Sequence, residues 1–192
     1  RLSQCTMYCF NGKLFAIGGT LGGSDVTPYV ESWCFGKKGE TWESEAPMLQ
    51  GMKKPYAVHF RNKMFVFGGQ AGDGRPLKVA MAYDPIWQTW KRLKDMPGVS
   101  VKGSVVSLND KIYIVGGVNC VAYSYSPATD DWAVLPRLRD VHHRFPAFVW
   151  KGEIFFSDRD LVERYDPTTN QWTSWYRMIS RSDISYYQSY FF

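Results

Sequence analysis

An all-β array of repeated units is the fold this sequence predicts, and three observations carry it. Four tryptophans each follow a ring residue by seven positions, in the pairs Phe35/Trp42, Tyr83/Trp90, Tyr125/Trp132 and Tyr165/Trp172. Ahead of each pair lies an apolar run ending in a small doublet: FAIGG (Phe15 to Gly19), FVFGG (Phe65 to Gly69), YIVGG (Tyr113 to Gly117) and IFFSD (Ile154 to Asp158). The first residues of the doublets, Gly18, Gly68, Gly116 and Ser157, are separated by 50, 48 and 41 positions. A period of this size marks supersecondary units that bury their apolar faces only by stacking on one another.

The units divide the chain at about 1–47, 48–97, 98–136 and 137–178, with a fragment over 179–192. The second unit shows its four strands most plainly. Tyr56–Phe60 is apolar and leads into a polar turn at Arg61–Lys63. Met64–Phe67 follows as a fully apolar strand ending at Gly68-Gly69. A loop, Gln70–Pro76, leads to a third strand at Val79–Tyr83, and a turn with Pro85 leads to a fourth around Trp90. Asn11-Gly12, Asn109-Asp110 and Lys151-Gly152 supply the first hairpin turn in the other units, with residues suited to tight reversals. The tail Ile184–Phe192 (ISYYQSYFF) reads as the first strand of a fifth unit.

The seven-residue offset has a geometric cause. If Tyr165 opposes Trp172 in a hairpin, Asp166 opposes Gln171, Pro167 opposes Asn170, and Thr168-Thr169 form the tip. Facing residues share one side of a sheet, and a slip of one position would separate them. Tyr83, Tyr125 and Tyr165 with Trp42, Trp90, Trp132 and Trp172 are therefore expected to glue neighbouring units together. Gly18, Gly19, Gly68, Gly69, Gly116 and Gly117 end the strands that converge at the hub, where a side chain would collide or φ must be positive. Ser157-Asp158 breaks the rule, and Asp158 is expected to take the left-handed conformation that Asp tolerates.

Composition bounds the function. The 192 residues are 45% hydrophobic and 17% aromatic. No apolar run approaches the roughly 20 residues that span a bilayer, and no secretory leader opens the chain, so no membrane partner is expected. Arg1 in place of an initiator Met suggests a piece of a longer protein. The four cysteines, Cys5, Cys9, Cys34 and Cys120, form no C-x-x-C pair. They are expected to be reduced and buried, as in a cytoplasmic protein. The net charge of +5 is mild and does not by itself indicate nucleic acid.

The runs ending in Gly-Gly, the spaced Tyr and the Trp resemble kelch repeats. No Gly-His and Trp-Asp dipeptides recur as a WD40 array would require. The forms AYDPIWQTW (Ala82 to Trp90) and ERYDPTTNQW (Glu163 to Trp172) are most similar to the kelch domains of BTB-kelch proteins. The first and third units depart from Tyr-Asp-Pro, with Phe35-Gly36 and Ser126-Pro127. The resemblance implies a β-propeller of usually six blades, of which this chain holds four complete four-stranded blades and the start of a fifth.

In such a blade the loop after the doublet and the link to the next blade share one face. The links carry eleven Lys or Arg against four Asp or Glu. The expected partner-binding residues are Lys53, Lys54, Lys102, His142, His143, Arg144 and Arg181, joined by Arg75 and Arg159 from the loops. Such a face favours an acidic peptide through charge-assisted hydrogen bonds. The resemblance implies a substrate-recognition module for a Cullin-type ubiquitin ligase, tethered through a BTB domain outside this sequence. An actin-binding scaffold is the alternative.

A propeller enzyme is the third reading, and no enzyme activity is expected. Three His, two of them adjacent, do not suit a galactose-oxidase-like copper site. Successive side chains on a strand point apart, so His142 and His143 are not expected to share a metal. No G-x-S-x-G elbow occurs, and no spacing marks a sialidase-like set of Arg, Tyr and carboxylates. No cofactor is implied. His59, alone in an apolar strand, is expected to be a satisfied core residue.

Overall fold

The computed structural model describes residues 2–23, 25–34, 41–139, 146–158 and 161–177. Among them are β-strands and turns and no helix. A short β1 (Leu2–Ser3) precedes the first blade, whose strands are β2 (Thr6–Phe10) and β3 (Lys13–Ile17), then, after β4 (Thr20–Leu21) returns to pair with β1, β5 (Val30–Cys34) and β6 (Glu43–Ser44). The second blade is β7 (Tyr56–Phe60), β8 (Lys63–Phe67), β9 (Ala80–Asp84) and β10 (Thr89–Arg92). The third is β11 (Gly103–Leu108), β12 (Lys111–Gly116), β13 (Val121–Ser126) and β14 (Asp131–Val134). The fourth is β15 (Phe148–Trp150), β16 (Glu153–Asp158), β17 (Leu161–Asp166) and β18 (Gln171–Arg177). Every pairing is antiparallel and each blade is an up-and-down meander. The architecture is all-β, built of kelch-type propeller blades.

The hairpin register follows from the turn length. Tyr83 faces Trp90, Tyr125 faces Trp132 and Tyr165 faces Trp172, with ring centroids 5.1, 4.8 and 5.1 Å apart. The first blade differs. Glu31 pairs with Ser44 and Ser32 with Glu43, a register that sets Trp33, and not Phe35, opposite Trp42. Its hairpin is two residues longer than the others, and Phe35 lies outside the described residues. The seven-residue match at Phe35/Trp42 is therefore a coincidence of spacing.

Each tyrosine reaches back to the previous blade. Phe15 meets Tyr83 edge-on at 6.3 Å, Phe65 meets Tyr125 at 6.2 Å, and Tyr113 meets Tyr165 at 6.0 Å. Each following indole donates to a backbone carbonyl of the link it covers: Trp90 Nε1 to Ala46 (2.8 Å), Trp132 Nε1 to Lys94 (2.8 Å) and Trp172 Nε1 to Pro136 (3.0 Å). The core is thus a series of layers between sheets, with Ile17, Met64, Ile114 and Phe156 fully buried. Burying such a side chain contributes roughly 1.5–3 kcal/mol.

The doublets combine both expected causes. Gly19 has φ +104°, and a Cβ there would sit 2.5 Å from the Ser3 carbonyl oxygen. At Gly116, φ +80°, a Cβ would enter the ring of Phe156 in the next blade. The fourth blade solves the problem otherwise. Its second strand runs straight on, with Ser157 paired to Val162 and Asp158 to Leu161. Asp158 is extended strand, contrary to the left-handed expectation, because its pairing with Leu161 continues the ladder.

Two burial expectations also fail. Cys9 is exposed, Cys5, Cys34 and Cys120 are half-buried, and none is in a disulfide; Cys120 packs against the buried layer between the third and fourth blades. His59 is exposed on β7. It is nonetheless satisfied, since Tyr8 Oη lies 2.9 Å from its Nδ1 and accepts its backbone N–H at 2.8 Å.

Candidate functional site

One face of the array is formed by the link that leads into each blade together with the loop that follows its doublet. The two segments are joined by one recurrent backbone bridge. Ser3 pairs with Thr20, Lys53 with Gln70, and the Val118 amide bonds the Val101 carbonyl at 3.0 Å. The residue after each of these lies in the left-handed region: Gln4 (φ 55°), Lys54 (φ 52°) and Lys102 (φ 59°). Lys54 and Lys102 therefore occupy the same place in consecutive blades. Both are exposed, and neither makes an ion pair among the described residues. The Lys54 amide bonds the Gln4 carbonyl at 2.8 Å, which ties the starts of the first two blades together.

The other expected bases are less available. Lys53 is half-buried, and its ammonium donates to the Gly72 carbonyl at 3.2 Å. Arg75 is exposed but lies 3.8 Å from Asp73 of its own loop. His142, His143, Arg144, Arg159 and Arg181 lie outside the described residues.

The basic links are not uniformly at this face. Arg92 pairs with Asp95 at 2.7 Å, and Lys94 pairs with Asp131 at 2.6 Å. Asp130 and Asp131 belong to the β13–β14 hairpin tip, on the opposite side from the loops after the doublets. Glu45, counted in sequence as a rim charge, is buried between the first two blades. Its Oε1 accepts from Ser32 Oγ (2.6 Å) and Lys13 Nζ (3.0 Å), and its Oε2 accepts from Tyr83 Oη (2.9 Å). Burial alone would push Glu45 up, but these three donors outweigh it and hold the carboxyl below its ordinary value. Asp130 follows the same logic. Burial opposes its charge, and the Lys94 amide (3.0 Å) and the Tyr125 phenol (2.7 Å) restore it and lower its pKa. The phenols respond in the opposite sense. Burial raises Tyr83 and Tyr125, and their carboxylate acceptors raise them further; Tyr165 is pushed up to about 12, chiefly by burial. These groups are structural joints.

A cleft of about 590 Å³ opens between the third-blade loop and the link that follows that blade. Its polar lining is Asn119, Cys120, Tyr123 and Arg137, and Val118, which bonds Val101, forms part of its wall. In sequence Arg137 is one of many link charges, and Asn119 and Cys120 belong to no motif. The signal was present in the short third-blade loop: only Val118–Cys120 separates Gly117 from β13, which leaves a recess between that loop and the Leu135–Arg139 link. Three elements thus bring Lys54, Lys102 and Arg137 to one face. Among the described residues no cluster of three or more His, Cys, Asp or Glu is placed to hold a metal, and no helix is long and apolar enough to cross a membrane.

The comparisons with known proteins agree with the blade architecture. A family model described as Kelch motif matches residues 57–97 and 103–139. The chain is similar to Kelch repeat and BTB domain-containing protein 8 of Xenopus tropicalis, with 32% identity over 151 residues, 73% of this chain and 25% of the relative. It is 25% identical over 173 residues to Kelch-like protein 38 of Rattus norvegicus, covering 84% of this chain and 30% of the relative. Kelch-like protein 35 of Mus musculus is 29% identical over 126 residues, 66% of this chain and 21% of the relative. The chain spans between about a fifth and a third of the length of these curated relatives.

Proposed function

The chain is a kelch-repeat domain of BTB-kelch type, and from that premise we propose that it captures an acidic segment of a protein partner on the face carrying Lys54, Lys102 and Arg137. The observation that supports this reading is the recurrence of an exposed lysine, in no ion pair among the described residues, at the same left-handed position in consecutive blades, close to a cleft with its own guanidinium. Two ammonium groups and a guanidinium on rigid backbone suit carboxylates, with Asn119 and the Tyr123 phenol available for further hydrogen bonds. Lys53 and Arg75 frame the face from the second-blade loop. The action is binding without a chemical step. As part of a longer BTB-kelch protein, the domain would recruit its partner to a Cullin-type ligase in the cytoplasm.

A peptide library selected on the wild-type domain tests the binding face. Selected sequences are expected to be rich in Asp and Glu, to lose affinity with rising salt, and to fail on the Lys54→Glu/Lys102→Glu/Arg137→Glu variant. Neutral sequences, or binding unchanged in the variant, would overturn the assignment. Co-precipitation of a Cullin with the full-length protein tests the ligase role. Salt-sensitive co-sedimentation with actin filaments, without Cullin, would replace it with a cytoskeletal one.

A further inference from the structure

The side of the array opposite Lys54 and Lys102 carries the hairpin turns, and there the second blade differs from its neighbours. The β13–β14 tip presents Ala128-Thr129 and the β17–β18 tip presents Thr168-Thr169; at the same two places the β9–β10 tip carries Ile86-Trp87. Ile86 is 74% exposed and Trp87 76%. The turn does not require them, since Gln88, Asp130 and Asn170 close the three tips in the same left-handed conformation, with φ of 52°, 54° and 54°. The pair is nonetheless held in place. The Ile86 and Trp87 amides donate to Asp84 Oδ1 at 3.0 and 3.4 Å, and Asp84 Oδ2 lies 3.1 Å from Lys63 Nζ. An apolar pair on a braced projection suits a binding anchor, because little freedom is left to lose on association.

A groove of about 670 Å³ opens on the same side, between the second and third blades. Phe60, Phe65, Pro127 and Ala128 give it apolar walls, and Arg61, Lys63 and Asp110 form its rim. In the first and third blades the residue at the place of Phe60 is buried: Phe10 is 5% exposed and Leu108 7%. Phe60 is only half-buried, edge-on to Phe65 at 6.4 Å, with the Arg61 guanidinium 5.3 Å from its ring centre. The two walls are tied to each other. Arg61 reaches Asp110 of the third blade at 3.1 Å, and Tyr56 Oη accepts from the Gly103 amide at 2.9 Å. That forward reach of a first-strand hydroxyl recurs in the other blades: Thr6 Oγ1 donates to the Pro55 carbonyl (2.5 Å), and Ser104 Oγ accepts from the Ala147 amide (2.8 Å).

We propose that this side is a symmetric docking surface for a second copy of the chain, with Trp87 of each copy seated in the groove of the other. Tip and groove meet at Lys63, which lines the groove and braces Asp84 at the base of the tip. One patch therefore carries both halves of the contact, as a two-fold interface requires. The chemistry matches as well. The indole meets two phenylalanine rings and a proline, and the Arg61 guanidinium is placed to stack on it as it does on Phe60. Each buried indole removes roughly 150–250 Å² from water. Two reciprocal insertions reach only the low end of specific interfaces, below about 1,200 Å². The dimer is therefore weak and concentration-dependent, and it leaves both faces carrying Lys54, Lys102 and Arg137 turned outward.

Sedimentation velocity of the chain over a concentration series is expected to show a monomer–dimer equilibrium. Trp87→Thr installs the residue type that the third and fourth blades carry there, and Ala128→Arg obstructs the groove. Each is expected to weaken dimerisation at least about tenfold. Both positions are exposed, so neither change disturbs the core. Trp87→p-benzoylphenylalanine is expected to cross-link between chains to residues 60–65 or 127–128. A wild-type chain that stays monomeric, a dimer unaffected by either variant, or the absence of cross-links to those residues of a second chain would overturn the proposal.

Discussion

Tyr83 holds Glu45 across the boundary between the first two blades, its phenol 2.9 Å from Oε2. The same carboxylate takes Ser32 and Lys13 from its own blade, so a single acid joins three strands. Tyr83→Phe keeps the ring packed on Phe15 and Trp90 and removes only the donor. Hydrogen bonds to charged groups contribute about 1.5–3 kcal/mol. With two other donors still on Glu45, the expected loss is near the lower end, about 1.5 kcal/mol, read from urea unfolding.

The acid limb of stability should carry the signature of Glu45 and Asp130. Both carboxyls are held below their ordinary values of 4.5 and 3.8. A depressed folded pKa adds stability that is fully present above the unfolded value and is lost as pH falls through the folded one. Unfolding free energy should therefore decline below about pH 4.5, and Glu45→Gln should flatten that decline while lowering stability at pH 7. An unchanged acid limb in the variant would remove Glu45 from this role. The raised phenols act at the other end. Stability should fall as pH climbs above the ordinary tyrosine value of 10.0, where unfolded tyrosines ionise and Tyr83, Tyr125 and Tyr165 do not.

Glycine substitutions should separate conformational cost from collision. Gly152 has φ +80° with open space around it, and Gly116 has φ +80° with the Phe156 ring where a Cβ would lie. Gly152→Ala is expected to cost about 1–2 kcal/mol, from left-handed geometry alone. Gly116→Ala adds a clash with a buried ring, and overpacking costs a further 1–3 kcal/mol or so. Equal losses at the two sites would contradict the close approach of the third and fourth blades.

The indole bonds offer a repeated measurement. Replacing Trp90, Trp132 or Trp172 by Phe deletes a donor to Ala46, Lys94 or Pro136 and leaves that carbonyl to find water. Each variant should lose about 1 kcal/mol for the hydrogen bond, plus the packing of the smaller ring. Trp42, 45% exposed, should tolerate the same change with a smaller loss.

The repeat was legible because its causes are local. Hairpin length sets register, and register sets which rings meet, so the Tyr/Trp pairs from 83 to 172 could be written down from spacing. The same rule misled at Phe35, where a hairpin two residues longer shifts the partner to Trp33. Ser157-Asp158 also misled, since residue preference says nothing of a strand that simply continues. What spacing cannot reveal is a role filled by different residue types. Thr6, Tyr56 and Ser104 carry the same hydroxyl on side chains of different size, and only pairing aligns them. Burial of Glu45 depends on a tyrosine in the next blade, so a count of link charges placed it in solvent. Lys94 was counted at the mouth for the same reason, although its ammonium reaches Asp131 near a hairpin tip.

The forward-reaching hydroxyls give the array a polarity. Thr6, Tyr56 and Ser104 each engage the successor, so a blade is held by the one before it and itself holds the one ahead. Loosening the second blade strands the grip of Thr6 and withdraws that of Tyr56 from the third, so a fault in one blade reaches the neighbours on both sides.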